Sequence, residues 1–144
     1  MALVVADVGA DQILKAYFNN TWPANKSLKM RLFATNVTPV QTSVLGSFTE
    51  AAGGGYAAIT LANGSWTVTP ANDPSDAVYA EQTFTFTGAL TTNPTVYGYY
   101  IEDNDGSTGV LVWAELLPVP YTPATNGDTL KITPKFQASS GTPS

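Results

Sequence analysis

Two hydrophobic periods divide the chain. Before Asn20, Ile13, Leu14, Tyr17 and Phe18 recur at three- and four-residue steps, the spacing of an amphipathic helix. The pattern predicts one short helix over Gly9–Asn19, capped by Asp7 and ended by Asn19-Asn20. Trp22-Pro23 then forces an extended turn. So short a helix is marginal in water, and its apolar stripe must dock on something. From Leu28 onward the period falls to two. Leu28, Met30 and Leu32 alternate with Lys29 and Arg31, as in a strand buried on one face.

The alternation continues in short runs separated by turn residues. Gly53-Gly54-Gly55 precedes Tyr56–Leu61, and Asn63-Gly64 reads as a hairpin turn into Ser65–Thr69. Pro70–Ser75 is expected to be a loop. In the next run Val78, Ala80, Phe84 and Phe86 share one face, with Tyr79, Glu81, Thr83, Thr85 and Thr87 on the other. Thr95–Ile101 and Gly109–Ala114 are apolar on both faces, which places them centrally in a sheet or at an interface. Pro118, Pro120 and Pro123 make an extended link that cannot pair fully. Leu130, Ile132 and Phe136 mark a last strand, and Gln137–Ser144 reads as a flexible tail. The predicted fold is mainly β, an antiparallel β-sandwich or jelly roll of about seven or eight strands with one short N-terminal helix. The predicted organisation is an arm and helix over 1–27, a body over 28–136 and the tail.

Composition removes several function classes. The chain has 144 residues, enough for one domain with its own core. It has no His and no Cys, so disulfides, thiolate metal sites and His-based acid–base chemistry are excluded. Residues 1–31 carry four bases and two acids, residues 32–130 nine acids and no base, and residues 131–144 two bases; the formal charge is −5. A nucleic-acid partner is not expected, because the body offers no clustered Lys or Arg to displace counterions. Lys26, Lys29 and Arg31 either form a basic arm that seats on an acidic partner or solubilise a strand edge. The N-terminus lacks the basic start of a signal peptide, and no run approaches a membrane span.

The remaining candidate chemistry is sparse. Glu102-Asp103-Asn104-Asp105-Gly106 resembles the start of a calcium loop, but position twelve from Asp103 is Ala114 rather than the required Glu, which favours a solvated turn. The triple glycine has no following Lys-Ser or Lys-Thr, so a turn or bulge is favoured over a phosphate loop. Glu81 and Glu115 are the carboxylates a glycosidase would need to pair, yet both fall at outward strand positions. Tyr79, Tyr97, Tyr99, Tyr100, Trp66 and Trp113 would either stack on a sugar or fill core and subunit contacts; the burial habit of Trp favours the second. No catalytic residue, metal or cofactor is expected.

Six segments in order, Lys29–Pro39, Phe48–Ala57, Gln82–Gly88, Val96–Tyr100, Leu111–Glu115 and Gly127–Ile132, resemble a family of small virion proteins of tailed bacteriophages. The resemblance covers nearly the whole chain and offers no catalytic pattern. It implies a non-enzymatic capsid decoration (cement) protein on the outer surface of the virion, whose partner is the major capsid protein. The alternative is a glycan- or receptor-binding module of a head fibre or tail. Such a protein needs an apolar strip that becomes buried on assembly. Leu3, Val4, Val5, Ile13, Leu14, Tyr17, Phe18, Trp22, Tyr97 and Tyr99 are the candidate contacts with the shell or with neighbouring copies. Capsid lattices repeat threefold positions, so a homotrimer is the expected assembly.

Overall fold

The computed structural model describes residues 3–18, 27–69, 75–91, 93–103 and 109–138. In chain order the elements are β1 (Val4–Val5), α1 (Asp7–Phe18), β2 (Leu28–Phe33), a 3₁₀ turn (Leu45–Ser47), β3 (Ile59–Leu61), β4 (Thr67–Thr69), β5 (Ser75–Val78), β6 (Gln82–Thr85), β7 (Val96–Asp103), β8 (Val110–Tyr121), β9 (Thr129–Ile132) and β10 (Lys135–Ala138). The strands form a five-stranded sheet in the order β1-β8-β7-β2-β3, a three-stranded sheet β10-β5-β4 and a two-stranded sheet β6-β9. Every pairing is antiparallel. The fold is mainly β with one short helix, as the periodicity predicted. The predicted last strand splits into β9 and β10, which lie in different sheets, and β10 runs to Ala138, two residues into the predicted tail.

The five-stranded sheet is covered on both faces. On one face, Met30, Leu32, Val96, Tyr99, Ile101 and Trp113 meet Phe84, Phe86 and Ile132 of the smaller sheets, with Trp66, Tyr79 and Phe136 at the margin. This is the sandwich core. On the other face Phe33, Tyr100, Leu111 and Ala114 are covered by Ala6 and Phe48, with Val37 and Leu45 beside them. That cover comes from the start of α1 and from the connection between β2 and β3. The doubly apolar runs 95–101 and 109–114 are therefore explained within one chain. They lie in the two central strands, and their second face is not left over for another subunit.

The N-terminal segment belongs to the same body. Val4 and Val5 pair with Ala114 and Trp113, and Ala6 N donates to Val112 O at 3.3 Å. The helix starts two residues earlier than predicted. Ala6 O accepts from Gly9 N and Ala10 N, and Asp7 N donates to Gln41 O at 2.9 Å. Asp7 is thus the first helical residue, where its charge complements the helix dipole. Gly9 faces β8 so closely that a Cβ there would stand 2.2 Å from Val112 O. Only glycine lets the helix backbone lie on the strand.

Three further strand predictions change. Asn63-Gly64 is a turn, with Gly64 at φ 81°, but it does not join a hairpin. β3 pairs with β2 whereas β4 pairs with β5, so the turn carries the chain from one sheet to the other. The single run 78–87 is two strands in different sheets, with β5 on β10 and β6 on β9. The run 109–114 extends to Tyr121 straight through Pro118 and Pro120. These prolines fall where four residues of β8, Leu117–Pro120, stand opposite one of β7, Tyr97, between the pairs Gly98↔Leu116 and Val96↔Tyr121. The bulge absorbs residues that cannot donate to a ladder.

Candidate functional site

Arg31 is the polar centre of the second face. It sits on β2 between the apolar neighbours Met30 and Leu32 and across from Tyr100 of β7. Its Nη1 donates to Glu50 Oε1 and Oε2 at 2.8 and 2.9 Å, and its Nε donates to Glu102 Oε2. The Glu102 side chain is 9% exposed and that of Arg31 20%. The Tyr56 hydroxyl donates to Glu50 Oε1 and accepts from Leu32 N. β3 pairs with β2 only as far as Met30, so Tyr56 and the Thr49–Ala51 segment satisfy the rest of that strand's edge.

Electrostatics hold Arg31 charged and the neighbouring phenols neutral. Burial by itself would lower the Arg31 pKa, but the hydrogen bonds and charges of Glu50 and Glu102 outweigh it and raise the pKa. Burial, with the Glu50 charge added, raises the Tyr56 phenol. Burial and then Glu50 likewise raise Tyr100. Arg31 is accordingly not part of a basic arm; its charge is committed inside the chain. Its signal in the sequence was an Arg at the centre of an alternating strand, followed by ninety-nine residues without another base.

The other chemical candidates are dispersed. Glu81 is exposed before β6 and pairs with Lys131 at 3.3 Å. Glu115 lies on β8 and accepts from the Tyr99 hydroxyl at 2.5 Å; burial and this carboxylate raise the Tyr99 phenol. The two glutamates have different partners, Glu81 ahead of β6 with Lys131 and Glu115 on β8 with Tyr99, and are not bonded to each other. Gly53, Gly54 and Gly55 all have positive φ and form a turn bonded to residues 87 and 91 through their neighbourhood, which is the expected turn. Asn104–Gly106 of the proposed calcium loop lie outside the described residues. Among the described residues no group of three or more acidic side chains could hold a metal ion. No helix there is long and apolar enough to cross a membrane.

The ten candidate contacts separate by burial. Tyr99 is 4% exposed and lies in the sandwich core, so it has no surface to offer a partner or a sugar. Leu3, Val5 and Ile13 pack against the same core, and Val4 is half-buried in the sheet. Tyr97 is half-buried beside Phe33 and Leu116. Leu14 and Phe18 are 56% and 74% exposed, and Val8 is 42% exposed. The helical stripe is thus split: Gly9 and Ile13 face the body, while Leu14 and Phe18 face outward. The Tyr17 side chain and Trp22 lie outside the described residues. No protein-family model matches the chain, nor does any curated protein or solved structure.

Proposed function

We propose that this chain is a non-catalytic capsid decoration protein of a tailed bacteriophage, seated as a homotrimer on the outer surface of the major capsid protein shell. The ordered segments described above motivate the phage reading. One structural observation supports it further: Ala6, Gly9 and Ile13 hold α1 against the body, and Leu14 is left 56% exposed. The helix is anchored by its inner side, so Leu14 on its outer side is open to a partner without undocking the helix. Burying one such side chain contributes about 1.5–3 kcal/mol, and three symmetric contacts multiply the effect by avidity. The doubly covered sheet behind the helix is a stiff base for it. The glycan-binding alternative is less well supported, because Tyr99 is buried and its hydroxyl is already bonded to Glu115.

The test is binding to undecorated shells followed by cryo-electron microscopy. The reading expects hundreds of copies per particle, with α1 against the shell and Leu14→Asp weakening binding by about tenfold or more. A few copies at a tail or fibre, or full binding by Leu14→Asp and by a chain lacking residues 1–20, would overturn it.

A further inference from the structure

Each sheet in this fold has edges, and most are protected. The outer edge of β8 beyond β1 carries Pro118 and Pro120, which cannot donate. β10 carries Lys135, paired to Asp76 at 2.9 Å, and β9 carries Lys131. β1 and β3 are partly buried, and β6, the other uncharged edge, buries Phe84. β4 is as short as β3 but differs from all of these in exposure. Thr67, Val68 and Thr69 are all exposed, and none carries a charge. Val68 is 64% exposed. On one side β4 pairs with β5; on the other, among the described residues, it ends its sheet. An edge with β-branched residues, no charge and no proline invites another strand.

We propose that the β4 edge is a self-association site, taken by β4 of a second copy in antiparallel register. The sequence of the edge is complementary to itself. With Val68 on the twofold axis, Val68 faces Val68 of the other copy and Thr67 faces its Thr69. Aliphatic and Thr–Thr cross-strand pairs are favourable, and no like charges meet. Pro70 follows directly and limits the pairing to these residues. The two three-stranded sheets become one continuous sheet, β10-β5-β4 joined to β4-β5-β10. The contact is isologous and closes on two copies. It is far smaller than a standard interface, so it is weak in solution and becomes effective where copies are crowded. It stands independently of the decoration reading.

The absence of Cys from the chain permits a direct test. Cα atoms of facing antiparallel residues lie about 4.5–5.5 Å apart, within disulfide range. Val68→Cys should form a disulfide-linked dimer on mild oxidation about tenfold faster than Val119→Cys, although Val119 is the more exposed at 75%. Adding Thr67→Lys to Val68→Cys should return the rate to that of the control without unfolding the protein, because Thr67 is exposed. Thr67→Cys, which does not face itself in this register, should link slowly. Equal rates for Val68→Cys and Val119→Cys, or fast linkage by Thr67→Cys, would overturn the proposal. So would exchange protection of the Thr67–Thr69 amides that appears with capsid shells but not with concentrated chain alone; that result would give the edge to the shell protein.

Discussion

The two faces of the five-stranded sheet are closed by different means. The sandwich face is covered by two further sheets and is almost wholly apolar. The opposite face is covered by a helix start and an irregular connection, and its small apolar cluster gives way to Arg31, Glu50 and Glu102. An apolar face gains stability from area and tolerates exchange among side chains of similar volume. A polar face gains from geometry: each charge needs its partner, and losing one leaves the others buried and unpaired. The first face should therefore fail in proportion to lost volume, and the second by which partner is lost.

The largest expected effect comes from the sandwich face. Phe86 is fully buried and its ring lies 6.0 Å from that of Tyr121. Phe86→Ala should destabilise the fold by about 3–5 kcal/mol in urea denaturation. Phe86→Leu should cost clearly less, and equal losses from the two would break the volume argument.

Next is Arg31→Ala, with an expected loss of about 3 kcal/mol because Glu102 is left buried without its partner. The paired change Arg31→Met with Glu102→Leu should recover much of that loss. If the double variant is less stable than Arg31→Ala alone, the polar face owes its stability to more than charge pairing. Tyr56→Phe removes the bonds to Glu50 and Leu32 N and should cost about 1–2 kcal/mol, leaving the Tyr56–Phe84 ring contact in place.

Alkaline titration compares the faces by another route. Tyr99 lies in the sandwich core, and Tyr100 lies on the opposite face, where the Tyr56 hydroxyl also reaches Glu50. Burial first, then nearby carboxylates, raises all three phenols. Below about pH 10 they are neutral in both folded and unfolded chains and titration does not alter stability. Above it the unfolded chain ionises first, so stability falls as pH rises towards the folded values. Phenolate absorbance should lose one late-titrating tyrosine in each of Tyr56→Phe, Tyr99→Phe and Tyr100→Phe.

The smallest effect is at the acid end, outside both faces. Asp128 accepts from Ala124 N at 2.7 Å and Thr125 N at 2.9 Å, and these bonds, with that from the Thr125 hydroxyl, lower its pKa. Its contribution is present above the unfolded carboxylate value of about 3.9 and is lost as pH falls through the folded value. Asp128→Asn should flatten the acid limb of a stability–pH curve slightly and leave the alkaline limb unchanged.

What the sequence determined by itself was local. The period of two marked β2 and β9, because alternation states which side chains a half-buried strand can hide, and the doubly apolar runs marked β7 and the first half of β8. The period near 3.6 placed α1 within two residues of its start. The missing His and Cys narrowed the chemistry without any coordinates. Tertiary structure decided what covers each surface. Ile13 and Leu14 are adjacent and equally apolar, yet one meets the core and the other solvent, because the close approach at Gly9 sets the roll of the helix on β8. The doubly apolar strands read equally as sheet centre or subunit contact until the β2–β3 connection was seen to cover their second face. Arg31 looked like a surface base because Glu50 and Glu102 lie 19 and 71 residues away in sequence. Periodicity records how a residue faces its own strand or helix; only the folded chain records what stands opposite it.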